Sequence, residues 1–305
     1  MADFNALYER YGLSELVKHA FRHESEGYRF LLGKVLGEAP LYTIVPNCTA
    51  HPFMDADTVP FIPVFSSRAL AENECERISR VMACEVVEIG TKTGAKKEVF
   101  FRLARDVGAG VIVLDNAIRI PVQELVAPAE YDGYKEGYPL RNEQMNATLL
   151  LIRQGLELGR DVTDLYIHLF HLLEKSGLIS PLSIARDRAP GPLGDGDLKL
   201  PIFDSESGRV SYWFSSAENF EAFEETNPEF MRELGIRYLY FATLDDLRQF
   251  LSIAPDTKLV INPGSLNLAI SRDLLTNIES LAAGKAVVGK PESVSDDDPM
   301  PDFLR

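Results

Sequence analysis

The feature that most constrains this chain is an order of elements that occurs twice. Phe65-Ser66-Ser67 and Phe214-Ser215-Ser216 each end an apolar strand-like run and precede a helical pattern. Another short apolar run follows at nearly the same distance in both places, at Val111 and at Leu259. Two helical patterns and a strand come first in each copy. They are predicted within 6–36 and at 41–45 in the first copy, and at 149–158, 162–173 and 178–184 in the second. Because an internal repeat decides the fold before any local pattern does, the sequence predicts an α+β chain with two tandem copies of a helix-flanked mixed β-sheet domain.

The repeat divides the chain into four segments. We expect a first domain over residues 1–130, a linker over 131–140, a second domain over 141–283 and a disordered acidic tail over 284–305. The linker is rich in turn formers, and the tail contains the run Asp296-Asp297-Asp298. Apolar residues make up 46% of the 305 positions, so each half can bury a full core.

Local patterns add detail to both copies. In the second copy, residues 198–203 and 210–214 predict a hairpin, and Ser215 with Glu218 forms a capping-box pattern at the next helix. Thr243 with Asp246 predicts a second cap. In the first copy, Pro63 within an apolar strand favours an edge strand or an irregular pairing.

The charge of the chain excludes some partners. The formal net charge is −15 and the isoelectric point is near 4.8, so the chain repels phosphate backbones and anionic membrane surfaces. No secretory signal and no apolar run long enough to span a bilayer is visible in the sequence. Three cysteines cannot all pair, which is typical of a reducing compartment. We therefore expect a cytoplasmic protein that binds neither nucleic acid nor membrane.

Four short motifs of the second copy match those of a known family. They are Leu172-Leu173-Glu174-Lys175-Ser176-Gly177-Leu178, Leu200-Pro201-Ile202-Phe203, Phe214-Ser215-Ser216 and Asn262-Pro263-Gly264-Ser265. In these motifs the chain resembles the SseB N-terminal domain family, named for a bacterial enhanced-serine-sensitivity phenotype. The resemblance covers residues 160–280 and, with fewer motifs, 26–127, where Asp115-Asn116-Ala117 replaces Asn-Pro-Gly. It implies an α+β domain of the bacterial cytoplasm without an established reaction.

Few residues form a pattern that could carry chemistry. His168 and His171 lie three apart on a predicted helix and could face one metal, but they also flank apolar positions and have no third ligand nearby in sequence. The segment 191–197 lacks the alternating carboxylates of a calcium loop. Neither a serine-nucleophile motif nor a glycine-rich phosphate loop occurs. We predict no catalytic residue, no metal and no cofactor.

Among the short segments, Asn262-Pro263-Gly264-Ser265 gives the strongest indication of a specific local structure or binding site. Asn262, Pro263 and Gly264 suit a type II turn with Gly264 at positive φ. Alternatively, free N–H groups at Asn262, Gly264 and Ser265 could hold a carboxylate. Trp213 is a further candidate, either as an exposed contact on the hairpin or as a residue packed beneath a helix.

Three hypotheses for function follow. The first is a non-enzymatic protein-interaction or regulatory module, since no catalytic motif is present. The second is a small-molecule sensor for an amino-acid-like ligand, with its pocket either at the Asn262 turn or at the seam between the two predicted domains. The third is an unrecognised hydrolase, which requires polar residues that converge only in the fold. The partner, the ligand and the oligomeric state cannot be deduced from the sequence.

Overall fold

A computed structural model of the chain describes residues 40–89, 97–126, 142–184, 198–205, 208–234 and 236–284, together with isolated positions between 10 and 37. Most of the helical segment predicted over 6–36 lies outside these residues, as do nearly all of the linker and of the tail. The chain forms two compact units, one of Met1–Gly133 with Glu157–Arg160 and one of Tyr134–Leu156 with Asp161–Arg305.

The described part of the first unit contains two small sheets and their helices. Its elements are β1 (Tyr42–Pro46), β2 (Asp55–Ala56), β3 (Pro60–Val64), α1 (Arg68–Ser79), β4 (Cys84–Glu88), α2 (Lys97–Asp106), β5 (Val111–Leu114) and β6 (Ile118–Pro121), followed by a 3-10 turn at Val122–Glu124. One sheet has the order β2-β3-β5-β6, and β1 pairs with β4 in the other.

The second unit begins with two helices. Its elements are α3 (Glu143–Glu157, of which Glu157 is counted with the first unit), α4 (Thr163–Ser176), β7 (Leu178–Ile184), β8 (Leu198–Lys199), β9 (Phe203–Ser205), β10 (Gly208–Trp213), α5 (Ala217–Thr226), α6 (Pro228–Leu234), β11 (Ile236–Ala242), α7 (Leu244–Ile253), β12 (Thr257–Ile261), β13 (Leu268–Ile270) and α8 (Arg272–Ala282). Its sheets have the orders β9-β10-β12-β13 and β8-β7-β11.

The two units share one strand order. In each four-stranded sheet the central pair is parallel, β3 with β5 or β10 with β12, and the outer pairs are antiparallel. The smaller sheets also correspond, because β1 pairs antiparallel with β4 as β7 does with β11. The predicted α+β class is confirmed, and this shared order supports a duplication.

In each unit, an equivalent pair of backbone hydrogen bonds forms a junction between the two sheets. Tyr42 and Phe65 exchange backbone hydrogen bonds of 2.9 and 2.8 Å, as Ile179 and Phe214 do at 2.8 and 2.7 Å. One residue further on, a hydroxyl donates across the junction in both units. The two bonds are Thr43 Oγ1 to the Pro63 carbonyl and Ser180 Oγ to the Tyr212 carbonyl, each 3.0 Å. Because equivalent backbone and side-chain hydrogen bonds occur in both units, the two units share one arrangement of their two sheets.

Aromatic side chains fill the core between the second unit's four-stranded sheet and α5–α6. Tyr212 and Phe223 lie with ring centroids 5.7 Å apart, and Phe214 and Phe220 lie 5.3 Å apart. All four side chains are buried, and such edge-to-face pairs add to the free energy gained by burying their area. This packing fixes the start of α5 against the end of β10.

Three local predictions need correction. Pro63 lies in an interior strand, where its missing N–H costs no ladder bond because β2 pairs only with Pro60 and Phe61. The predicted hairpin is shorter, with only Phe203–Ser205 pairing to β10. Residues 198–199 pair instead with β7, since Pro201 interrupts the strand. Ser216, rather than Ser215, caps α5 by accepting from Asn219 N–H.

Within the described ranges, no helix combines the length and the apolar character needed to cross a bilayer.

Candidate functional site

Ser215 and Asn262 lie side by side at the ends of the two parallel strands of the second unit. Asn262 follows β12 with φ of 50°, a left-handed conformation that asparagine tolerates. Its N–H donates to the Trp213 carbonyl at 2.8 Å, which extends the parallel ladder by one bond. The Asn262 side chain then turns to Ser215, accepting from the Ser215 N–H at 3.0 Å and donating from Nδ2 to Ser215 Oγ at 2.7 Å.

Helix α3 brings further amides to this pair. Asn146 Oδ1 accepts from Ser215 Oγ and from Asn219 Nδ2, the latter at 3.2 Å. Asn142 Nδ2 donates to the Ser215 carbonyl at 2.7 Å. We call Asn142, Asn146, Ser215, Ser216, Asn219 and Asn262 the Ser215 network. Its members lie at or near the start of α3, at the β10–α5 corner and at the turn after β12, so the network ties three elements together.

All side chains of the Ser215 network are uncharged. Ser215, Asn146 and Asn262 are all buried, with Ser215 fully inaccessible. The Ser215 hydroxyl donates to an amide oxygen, which cannot take up the proton as a general base would. None of the six members is ionisable. Its bonds therefore position backbone and helices and do not activate a nucleophile.

The turn after Asn262 uses its own N–H groups. Ser265 N–H donates to the Asn262 carbonyl at 3.2 Å, and Leu266 and Asn267 donate to the same oxygen at 2.9 and 3.2 Å. Gly264 N–H donates to Asn267 Oδ1 at 2.8 Å. The Gly264 φ of 80° agrees with the predicted type II turn. Because these donors are satisfied inside the turn, none of them is available to a carboxylate.

Trp213 provides no exposed contact. Its side chain is fully buried and packs edge-to-face on Phe250 of α7 with ring centroids 5.8 Å apart. It points away from the Tyr212 and Phe214 side because successive residues of a strand face opposite ways. The packed alternative is the one observed, and Trp213 does not extend the surface near Asn262.

The first unit has a simpler counterpart of this pair. Asp115 follows β5 with φ of 51° and accepts from Ser66 N–H at 2.7 Å and from Ser66 Oγ at 2.8 Å. Asp115 N–H donates to the Val64 carbonyl at 2.9 Å. Ser66 and Asp115 are half-buried, whereas Ser215 and Asn262 are buried. A carboxylate is therefore accommodated where water remains near, and a neutral amide where it does not.

An open cleft of about 500 Å³ lies between α1 and β4 of the first unit. One face of α1 forms one wall, and the start of β4 forms the other. The lining residues are Arg68, Glu72, Cys75, Glu76, Ser79, Arg80, Cys84, Glu85 and Val86. Cys75, Cys84 and Val86 supply the apolar part of this lining, and the other lining residues are polar or charged.

Backbone hydrogen bonds define which residues of β1 face β4. Tyr42 exchanges both of its bonds with Phe65, on the side of β1 away from β4. Successive residues of a strand direct their backbone N–H and C=O groups to opposite edges. Thr43 and Val45 therefore direct theirs toward β4. The bonded pairs are therefore Thr43 with Val87 and Val45 with Glu85.

The remaining residues of β4 point outward. Cys84, Val86 and Glu88 turn their backbone N–H and C=O groups to the other edge, and no strand among the described residues pairs there. Val86 and Cys84 also line the cleft. The edge of β4 and the wall of α1 thus form one continuous groove.

The comparisons with known proteins give little beyond this geometry. No protein-family model and no curated protein matches the chain. Among solved structures, one described as "Anabaena Tic22 (protein transport)" is 11% identical, over 74% of this chain and 89% of that chain, at a TM-score of 0.18. Likeness at this level supports no argument about fold or function. The resemblance to the SseB family therefore stays a prediction.

The two histidines of α4 are not brought to a common site. His168 and His171 are both exposed, and His171 Nδ1 lies 3.0 Å from Glu174 Oε2. In the part of the chain that the structure describes, no cluster of three or more metal-ligating side chains occurs. Both side chains belong to the solvent face of α4.

Sequence reasoning found part of these sites. Asn262, Gly264 and Ser265 share one turn, as their adjacency requires. The contribution of Asn146 was missed, because it lies in a helix that the sequence predicts to begin only at Leu149. The edge of β4 was also missed, since alternation identifies a strand but does not reveal which side is paired. The one available signal was Asn146 itself, a polar residue next to an apolar helical run.

Proposed function

We propose that this chain is a non-enzymatic protein-binding module of the bacterial cytoplasm whose first unit takes up an extended segment of a partner protein along β4. The observation that carries the proposal is the outer edge of β4 beside the cleft under α1, an edge that no described strand covers. Cys48, Cys75 and Cys84 are thiols rather than disulfides, which agrees with a reducing compartment. The net charge of −15 argues against nucleic acid as the partner.

Strand addition supplies the affinity in this proposal. An extended peptide that pairs with β4 bonds to the outward N–H and C=O groups of Cys84, Val86 and Glu88, and its alternate side chains enter the cleft. The same edge is protected from pairing with a second copy, because Glu85 and Glu88 place negative charge along it. An edge with these two properties suits a heterologous partner better than a second copy.

The charges of the cleft define the peptide further. The cleft is lined by three glutamates, Glu72, Glu76 and Glu85, and by two arginines, Arg68 and Arg80. Arg68 lies 3.6 Å from Glu72. Acidic groups therefore outnumber basic ones. We expect a bound segment that carries a lysine or arginine beside a small apolar side chain, which lies over Cys84 and Val86.

Neither alternative hypothesis gains support. An amino-acid sensor at the Asn262 turn requires free N–H donors, and those of Gly264 and Ser265 are bonded within the turn. A hydrolase at Ser215 requires a base, and the bonded neighbours of Ser215 are amides. A second serine, Ser66, contacts only the carboxylate of Asp115 among described hydrogen-bond partners, and a lone carboxylate is too weak a base to activate it.

The test uses a proline at the edge of β4. A library of random decapeptides displayed on phage is selected against the immobilised full-length chain, and the selected peptides are measured by fluorescence polarisation. Val86→Pro removes one outward N–H without touching the bonds of β4 to β1, which the neighbouring residues make. Val86→Ala is the matched control, because it changes the side chain and keeps the donor.

We expect Val86→Pro to weaken binding about tenfold or more, since one hydrogen bond and the approach of the peptide backbone are lost. Val86→Ala should change affinity by no more than about threefold. A selected peptide with a basic residue should also bind less well to Glu76→Lys. Equal binding to the wild type and Val86→Pro, or no selected peptide, would exclude strand addition at this edge.

A further inference from the structure

We propose that Cys75 and Cys84 form a reversible dithiol–disulfide pair that a low-molecular-weight disulfide, such as oxidised glutathione, closes. The Sγ atoms of the two residues lie 3.0 Å apart, at the floor of the cleft between α1 and β4. A disulfide bond is about 2.05 Å long, so an approach of about 1 Å completes it. This inference does not depend on the peptide-binding function.

Helix α1 and strand β4 position the two thiols next to each other. Cys75 lies in the second half of α1, and Cys84 is the first residue of β4. Cys84 Sγ also contacts the Cys75 carbonyl at 3.5 Å and Ser79 Oγ at 3.2 Å. Both sulfurs thus meet at one packed contact between a helix and a strand, with Ser79 Oγ beside them.

Accessibility distinguishes the roles of the two cysteines. Cys75 is 8% exposed, whereas Cys84 is only half-buried and lines the open cleft. A small disulfide can therefore reach Cys84 first, and Cys75 is placed to displace it. Cys48 does not share this position, because its Sγ contacts Met82 Sδ at 3.7 Å.

The reaction balances with a small disulfide as the oxidant. The thiol of Cys84 loses its proton to water, and the thiolate attacks one sulfur of the reagent. A mixed disulfide forms, the reagent's S–S bond breaks, and one small thiolate leaves and takes up a proton. Cys75 then loses its proton to water, and its thiolate attacks Cys84 Sγ. The Cys75–Cys84 bond forms, the mixed disulfide breaks, and the second small thiolate leaves and takes up a proton. Two protein thiols are oxidised by two electrons, and one small disulfide is reduced.

The rate should depend on pH. Burial is the main cause that raises the pKa of Cys84 to about 11, and contact with Cys75 adds to it, while the Ser79 hydroxyl opposes it. The charged side chains of the same cleft are Arg68, Glu72, Glu76, Arg80 and Glu85. Because only the thiolate reacts, oxidation should accelerate about tenfold per pH unit between about pH 7 and 9. The pair therefore responds slowly at neutral pH and is not a fast peroxide sensor.

The experiment follows thiols in the full-length chain. Reduced protein is incubated with excess oxidised glutathione, quenched with acid, and analysed by intact mass, maleimide labelling and peptide mapping. We expect the wild type to lose two hydrogens and to keep one of its three thiols. The matched control Cys48→Ser should lose two hydrogens and keep none. Cys75→Ser should retain glutathione on Cys84 at about ten times the wild-type level, because the resolving thiol is gone.

Peptide mapping of the wild type keeps the test decisive even where a variant does not fold. A Cys75–Cys84 peptide that dithiothreitol releases supports the proposal. Three remaining thiols after incubation, or a cross-linked peptide that contains Cys48, would overturn it.

Discussion

Asn262 and Asp115 occupy the same position in the two units. Each follows the last residue of a parallel strand with φ near 50°, and each accepts a hydrogen bond from the backbone N–H of a serine at the end of the neighbouring strand. The asparagine is buried and the aspartate is half-buried. The same backbone conformation thus carries a charged side chain in one unit and a neutral one in the other. The charged side chain lies where water remains near, and the neutral one lies in the buried position.

Exchange of these side chains should have unequal effects. Asn262→Asp places a carboxylate at a position that is 1% exposed, and it removes the donor to Ser215 Oγ. We expect a loss of about 3 kcal/mol in the free energy of unfolding at neutral pH. Asp115→Asn keeps the acceptor for Ser66 N–H and should cost about 1 kcal/mol or less. Urea unfolding followed by circular dichroism measures both, and equal losses would contradict the argument.

The two serines at the β10–α5 corner should also differ. Ser215→Ala removes the hydroxyl that accepts from Asn262 Nδ2 and donates to Asn146. Because buried polar partners are then left behind, we expect a loss of about 2–3 kcal/mol. Ser216→Ala removes the cap of α5 and one acceptor of Asn219 Nδ2, which keeps Asn146 Oδ1 and Ser215 Oγ as acceptors, and it should cost about 1 kcal/mol. The same unfolding assay checks this order, and a larger loss for Ser216→Ala would refute it.

Features that depend only on neighbouring residues were predicted correctly from the sequence. Thr243 and Asp246 form the predicted capping box, and Gly264 has the predicted positive φ, because both depend on neighbouring residues only. The strand over 178–184 was predicted with its observed bounds in spite of Pro181.

Features that depend on pairing between distant elements were not predicted. Ser215 and Asn146 meet across 69 positions of sequence, and no local pattern indicates which side of Ser215 faces α3. The pairing of residues 198–199 with β7 instead of β10 has the same origin. Likewise, only the sheet topology reveals that β4 pairs with β1 alone among the described strands, so that its outer edge has no strand partner there.

The single tryptophan offers a direct test of the second unit's core. Trp213 is fully buried beside Phe250, so its native emission should be blue-shifted and insensitive to iodide. Unfolding should shift the emission to the red and restore quenching. Trp213→Ala should destabilise the protein by about 4 kcal/mol. Trp213→Phe should cost about half of that, since the ring is partly retained and the buried Nε1 has no partner among the described residues. Strong iodide quenching of the native protein would contradict this placement.

The pH dependence of stability should include a contribution from His51. Burial lowers the pKa of His51 from 6.5 to about 4, so the folded ring stays neutral where the unfolded ring takes up a proton. The contribution is fully present above about pH 6.5 and is lost as the pH falls toward 4. Because the residue as a whole is half-buried, we expect a loss on the order of 2 kcal/mol. His51→Gln should show a smaller fall over this range, whereas the exposed control His171→Gln should keep it.

Two glycines with the same φ should tolerate an added methyl group to different degrees. Gly177 and Gly159 both have φ of 65°. A Cβ on Gly177 would lie 2.2 Å from the Ala242 carbonyl oxygen, between α4 and β11, whereas a Cβ on Gly159 meets nothing within 4 Å. Gly159→Ala should therefore cost only the left-handed penalty of about 1–2 kcal/mol. Gly177→Ala should cost about 2 kcal/mol more, because its ψ of −171° lies in a region nearly confined to glycine and because the backbone of β11 must move. Thermal unfolding of both variants measures the difference, and equal shifts in Tm would show that β11 yields without cost.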